Sequence, residues 1–279
     1  MGDPVGRPRA TLGIIAGGGG LPLAIARACA RDERPCFVVR LKGLADPALA
    51  GFAGSDVGVV ELGACLRSLR QARCETVTFA GNVRRPADFA DLKPDLVALR
   101  YLPGVAAAAR GGDDALLRAI LAVFEREGFQ VEGVGEAGSG LTLPPGSLGK
   151  VEPRDDDRPD IDRAVTAALE VGASDIGQAA VVRDGKVVAR EAADGTDAML
   201  ARLAPAQARG VLAKLPKPRQ DRRVDLPTIG VATLEAAAAL GLAGVVGEAG
   251  ALLMVEPDRV REAADRLGLF VLGLERPAT

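Results

Sequence analysis

From Thr11 to about Val134, short β-rich apolar runs alternate with Ala- and Leu-rich stretches whose apolar positions recur at helical spacing. In order they read LGIIA, LPLAIARACA, CFVVRL, DVGVVEL, ACLRSLRQA, ETVTFAG, DALLRAILAVFEREG and FQVEGV. Alternation of strand and helix patterns predicts an α/β fold, with a mainly parallel sheet covered by helices. Ligands of such sheets lie beyond the carboxyl ends of the strands. We therefore expect a Rossmann-like nucleotide-binding domain over residues 11–135, preceded by a disordered tail at 1–10. Residues 136–160 are rich in Gly, Pro and acids, have little periodicity and read as a linker or an inserted loop.

A second α/β domain is expected over 161–279. It begins with an Ala-rich helix, Ile161 to Gly172, followed by AAVVRDGKVVARE, two alternating runs joined by Asp184-Gly185, a strong hairpin signal. A helix after Gly195-Thr196-Asp197, an Ala-rich helix within Ala232 to Leu240, strands near Gly244 to Val246 and at LLMVE, a helix from Pro257 to Leu267 and the run FVLGL complete it. The pattern does not set the topology of this half.

Between the helix after Gly195-Thr196-Asp197 and the Ala-rich helix lies the most unusual segment, KLPKPRQDRRVDLPTIG, Lys214 to Gly230. Five cations surround two carboxylates and three prolines in seventeen residues. Pro216, Pro218 and Pro227 fix φ and remove ladder donors, so the stretch should be a stiff loop. Stiffly held like charges suit a polyanion; a merely solvated basic loop is the plainer reading.

The 279 residues contain no histidine. Ser-His-Asp hydrolysis, Cys-His catalysis and His-ligated zinc are thereby excluded. With 37 acids available, carboxylates holding a hard cation such as Mg²⁺ are the economical alternative. Net charge is −2 and aromatics make up 3%, so neither a global basic field nor stacking platforms point to nucleic acid. Cys29, Cys36, Cys65 and Cys74 show no C-x-x-C spacing and read as reduced, mostly buried residues of a cytoplasmic protein. The polar start MGDPVGRPRA carries no apolar core of a signal peptide. The longest charge-free stretch, Ala10 to Ala26, is interrupted by glycines and a proline, so no integral membrane segment is expected.

Four glycine-bearing segments are candidates for ligand contacts. Gly17, Gly18 and Gly19, ahead of Gly20, sit between a strand and a helix, where backbone N–H groups bind anions. Pro22 occupies the third glycine place of G-x-G-x-x-G and Arg40 stands where an NAD enzyme carries a carboxylate. Gly81 and Asn82 end another parallel strand in FAGNVRRP, with Arg84, Arg85 and Pro86 following. Gly112-Asp113-Asp114 and Gly195-Thr196-Asp197 start helices, where capping explains carboxylates equally well.

Taken together, LGIIAGGGGLP, FAGNVRRP, GDDALL, EAADGTDAML, VLAKLPKPRQDRRVDLPTIG and GLAGVVGEAG, in this order from about Leu12 to Leu274, resemble the UDP-2,3-diacylglucosamine pyrophosphatase family of the LpxI type. Gly111 departs from the resemblance, standing where a cation is expected ahead of GDD. The resemblance implies a two-domain cytoplasmic enzyme, a homodimer, that uses Mg²⁺ to hydrolyse a lipid-linked UDP-sugar held between its domains, in lipid A biosynthesis. Peripheral contact at the inner face of the inner membrane is left open. On this reading Asp225 binds Mg²⁺ or orients water, with Asp197 as second carboxylate. Lys214, Lys217 and Arg223 contact phosphate, and Gly17, Gly18, Gly19, Gly81, Asn82, Asp113, Thr196 and Thr228 bind substrate. An NAD(P)-dependent oxidoreductase, with Arg40 meeting a 2′-phosphate, and a non-catalytic nucleotide-sugar sensor are the competing readings.

Overall fold

The computed structural model describes residues 9–83, 94–218 and 221–275. The expected tail falls almost wholly outside them, as do Arg84, Arg85 and Pro86. The chain divides into two compact units between Ser139 and Gly140.

The first unit follows the expected alternation: β1 (Leu12–Ala16), α1 (Leu21–Arg31), β2 (Cys36–Leu41), β3 (Gly54–Val57), α2 (Leu62–Gln71), β4 (Thr76–Ala80), α3 (Leu96–Ala109), α4 (Asp113–Arg126), β5 (Gln130–Val131) and α5 (Val134–Ala137). Its strands are all parallel, in the order β3-β2-β1-β4-β5. This is the Rossmann-like order, in which the chain reverses direction across the sheet between β1 and β4. Leu12, Ile14, Val38, Val39 and Val77 are fully buried in it.

Two details depart from the pattern. The DVGVVEL run ends as a strand at Val57, because the Glu61 carboxylate accepts the Gly58 N–H at 2.7 Å and turns the chain into α2. The pattern also hid α3, whose Pro103-Gly104 reads as a break. The Asp95 carboxylate starts that helix by accepting the Ala98 N–H at 2.9 Å, and Pro103 sits inside it.

The second unit comprises β6 (Gly146–Ser147), α6 (Arg158–Ala173), β7 (Ala179–Arg183), β8 (Lys186–Arg190), α7 (Gly195–Ala201), β9 (Gly210–Lys214), β10 (Thr228–Ile229), α8 (Val231–Ala239), β11 (Gly244–Glu248), β12 (Leu253–Met254), α9 (Pro257–Leu267) and β13 (Phe270–Leu274). One mixed sheet runs β6-β13-β11-β9-β7-β8, with β9, β11 and β13 parallel and the outer pairings antiparallel. Alternate residues feed two cores. Ala179, Val181, Leu212 and Val245 pack with Met199, Leu234 and Val260 of the helices α7, α8 and α9, whereas Ala180, Val182, Val211 and Ala213 pack on Ala164, Ala167 and Ala168 of α6. The hairpin turn forms as expected: Asp184 and Gly185 both take positive φ, 48° and 73°. The Asp160 carboxylate accepts both their N–H groups at 3.1 and 2.6 Å.

The linker expectation for 136–160 is corrected. Leu143 is fully buried in the second unit's core, β6 pairs with β13, and the Leu143 N–H donates to Leu252. The segment lacks periodicity because irregular backbone and a two-residue strand bury it.

Candidate active site

In the first unit, the loops after β1 and β4 clasp each other where the strand order reverses. The Gly18 N–H donates to the Asn82 carbonyl at 2.9 Å and the Asn82 N–H returns to the Gly18 carbonyl at 2.8 Å. Only glycine permits this approach. A Cβ on Gly81, which takes φ +87°, would meet the Gly18 carbonyl oxygen at 2.4 Å, and one on Gly17 would lie 2.8 Å from the Asn82 carbonyl oxygen. Gly19 takes φ +88° with open space beside it, and Gly20 caps α1 without a side-chain acceptor. The exposed loop thus meets the N-terminus of an eleven-residue helix, a setting that suits an anion. Gly17, Gly18, Gly19, Gly81 and Asn82, predicted separately from sequence, are one construction.

Arg40, the cation on which a 2′-phosphate reading depends, is engaged elsewhere. Its guanidinium forks onto Asp56 at 2.9 and 3.3 Å and donates to the carbonyls of Leu49 and Phe52. This removes the support for an NADP site. Asp113 opens α4 after Gly112, whose φ is +99°.

In the second unit, the basic segment leaves the carboxyl end of β9 and returns as β10, beside β12. Lys214 is the last residue of β9 and only 8% exposed. Its ammonium donates to the Thr228 carbonyl at 2.9 Å. Burial lowers its pKa below the ordinary lysine value, while the nearby Glu191 and Asp197 carboxylates act in the opposite direction. Lys217 pairs with Asp175 at 2.8 Å, and Arg223 with Asp221 at 2.8 Å. Arg222 reaches Glu248, at the end of β11, at 2.6 Å.

Asp225 is half-buried on the returning limb, its N–H donating to the Asp221 carbonyl at 3.1 Å. No described residue hydrogen-bonds or ion-pairs with its carboxylate. Asp197 is exposed in the first turn of α7. Thr196 is buried and donates its hydroxyl to Glu191 at 3.0 Å, and the Thr228 hydroxyl donates to the Leu226 carbonyl at 3.2 Å. Both threonine hydroxyls therefore serve the fold first.

Glu191 is the member the sequence reading passed over. Its carboxylate is buried, accepting from Thr196 and, at 2.8 Å, from the Gln178 N–H. The signal was present: Glu191, just past β8, continues the phase of Ala189, which packs on the core of α7, α8 and α9, placing a carboxylate where the alternation calls for an apolar side chain.

No cluster of three or more acidic, cysteine or histidine ligands occurs among the described residues. Mg²⁺ does not require one, since it is ordinarily held by one or two carboxylates together with substrate phosphates and water. The Asp225 carboxylate, which no described residue bonds, is of a kind that fits such an ion.

Both halves of the sequence match known models in order: the LpxI N-terminal domain over residues 11–141 and the LpxI C-terminal domain over residues 144–272. The chain is also 54% identical over 278 residues, 95% of its own length and 99% of the relative's, to the UDP-2,3-diacylglucosamine pyrophosphatase LpxI of Caulobacter vibrioides. On the strength of both matches, the chain belongs to the LpxI family.

Proposed function

We propose that this protein hydrolyses the pyrophosphate bond of UDP-2,3-diacylglucosamine to UMP and 2,3-diacylglucosamine 1-phosphate, a step of lipid A biosynthesis. The observation that carries the reading is the 54% identity across 95% of the chain to a pyrophosphatase of that specificity. The clasped glycine loops, suited to a nucleotide's phosphate and ribose, and a cationic loop bearing one uncommitted carboxylate lend it support. So does the lack of histidine, which leaves carboxylates such as those of this loop as the economical acid–base and metal-binding groups.

In the reaction, water adds to one phosphorus, the bond from that phosphorus to the bridging oxygen breaks, and the bridging oxygen leaves with the other phosphate. Charge neutralisation and in-line placement of water dominate the barrier of such a step. Asp225 orients the attacking water, and Asp225 and Asp197 are the carboxylates that would hold Mg²⁺. When bound, the ion offsets charge on the diphosphate oxygens. Lys217 and Arg223 contact phosphate, exchanging their present carboxylate partners for it; the arginine does so as a two-pronged donor. Gly17 to Gly19, Gly81 and Asn82 present backbone groups to the uridine diphosphate.

Incubation with UDP-2,3-diacylglucosamine in detergent micelles tests this directly. UMP release that EDTA abolishes and Mg²⁺ restores is the expected result. Release insensitive to EDTA overturns the metal assignment, and binding without release makes the protein a nucleotide-sugar sensor. Water labelled with ¹⁸O identifies the phosphorus attacked.

A further inference from the structure

Across the sheet of the second unit, Glu191, Ala179, Lys214, Gly247 and Gly273 form one cross-strand row. The Glu191 N–H donates to the Ala179 carbonyl, Ala179 pairs with Lys214, Lys214 with Gly247, and Gly247 with Gly273. Side chains in one row project to the same face. Small residues therefore flank Lys214 on both sides, and Glu191 lies on the same face one place beyond Ala179, without a direct ion pair to Lys214. Beyond them, Thr196 of α7 holds one Glu191 oxygen and the Gln178 N–H the other, so the carboxylate has little freedom. The Lys214 ammonium, nearly enclosed, bonds the Thr228 carbonyl at 2.9 Å. Thr228 lies three residues after Asp225, and the flanking carbonyls of Pro227 and Ile229 accept from Leu253 and Val255.

We infer that Lys214 and Glu191 are positioning residues rather than phosphate contacts, a buried brace in which Lys214 ties the end of β9 to the limb carrying Asp225 through the Thr228 carbonyl and Glu191, fixed on the same face by Thr196 and the Gln178 N–H, is its counter-charge without touching it. The expectation of a Lys214 phosphate contact came from its charge alone. An ammonium this enclosed, with a backbone carbonyl already on it, is better placed to hold the loop than to meet a ligand. A buried charge needs a fixed counter-charge, and Glu191 provides it. Asp197, the other carboxylate near Lys214, is exposed and shares the helix α7 with Thr196.

The inference rests on the hydrolase reading only in giving Asp225 its task; the brace itself is tested without turnover. Lys214→Met keeps the stem and removes the charge, and Glu191→Gln keeps an acceptor for the Gln178 N–H. Hydrogen exchange on the full-length protein should show the backbone of Arg222–Gly230 exchanging at least ~10-fold faster in both variants, as expected when a local tether is lost. Protection in the rest of residues 140–275 should stay unchanged. Unchanged exchange in that limb, or faster exchange spread evenly over the unit, overturns the brace. In turnover assays both variants should lose about 10-fold or more in kcat with KM within 2-fold, and Lys214→Met should add nothing in an Asp225→Asn background, as for groups that act as one unit. UDP affinity by calorimetry should equal that of the wild type. A 10-fold loss of UDP affinity in Lys214→Met makes Lys214 a phosphate ligand and overturns the assignment. If the wild type releases no UMP, the hydrolase reading fails while the exchange result still decides the brace.

Discussion

Asp225→Asn separates chemistry from folding more cleanly than any other change in this protein. The substitution preserves shape and removes one negative charge. Because no described residue bonds the carboxylate, and the residue is tied through its backbone N–H to the Asp221 carbonyl at 3.1 Å, the fold should not register the change. A substitution outside core, cap and ion-pair contacts stays within about 0.5 kcal/mol, a shift of about 2 °C in Tm for a protein of this size. The effect on rate should be very different. One preorganised electrostatic contact at a reacting centre is worth ~10²–10³ in kcat, and a group that both orients water and ligates a metal should reach the upper value or exceed it. At 1.36 kcal/mol per decade, a 10³ loss is about 4 kcal/mol of transition-state stabilisation. The assay is UMP release from micellar UDP-2,3-diacylglucosamine with Mg²⁺, beside thermal unfolding of the same sample. Turnover within 3-fold of wild type would remove Asp225 from the mechanism. A fall in Tm above 5 °C would show that the carboxylate supports the fold, and the kinetic loss would then carry no chemical meaning.

Three other outcomes are expected. Arg34, whose side chain is 2% exposed, forks onto Glu132 at 2.8 and 2.9 Å and donates to Thr76; Arg34→Met strands that carboxylate and should cost about 3 kcal/mol in urea unfolding, whereas a cost under 1 kcal/mol would show the pair idle. Gly81→Ala forces a side chain into positive φ against the Gly18 carbonyl, a strain of about 1–3 kcal/mol before any clash, and should weaken UDP binding measured by calorimetry; unchanged affinity would separate the clasp from the nucleotide. The hydrogen bond from Cys29 pulls the Cys36 thiol down to about 7 against the opposing effect of burial, while burial pushes Cys65 and Cys74 up to about 12 and 11. Since the thiolate is the nucleophile, iodoacetamide should label Cys36 first, with a rate that rises through pH 7, and mass spectrometry finding Cys65 or Cys74 labelled earlier would contradict this ordering.

Periodicity carried most of the fold because most elements bury one face. The runs at β1, β2 and β4, the Asp184-Gly185 turn and the helix Pro257–Leu267 all follow from local spacing and turn chemistry. What escaped the pattern did so for physical reasons. The helix α3 buries none of its residues, so packing imposes little apolar phase on it, and Pro103-Gly104 looks like an ending. Residues 140–157 enter the second core through irregular backbone, for which no repeat exists to be read. The two-unit order of strands in the second half depends on long-range pairings such as β13 with β6, which leave no local trace.

The candidate site was legible by residue type but not by direction. Charge and proline content singled out Lys214–Gly230, yet a lysine's charge is the same whether it faces a ligand or the interior. Lys214 points inward because it continues the phase of Leu212 on a strand whose neighbours in that row are Ala179 and Gly247. Thr196 and Thr228 likewise looked like ligand groups until their partners proved to be Glu191 and the Leu226 carbonyl. An inward lysine at a strand end therefore predicts an inward carboxylate within reach, since a buried ammonium without one costs several kcal/mol. Glu191, just past the end of β8 in the phase of Ala189, is the carboxylate on that face. Applied to the sequence, the same rule would have found the pair: a cation and an anion that each occupy an apolar phase on the same face of one sheet, here with β7 between them, are more economically matched to each other than aimed at a ligand.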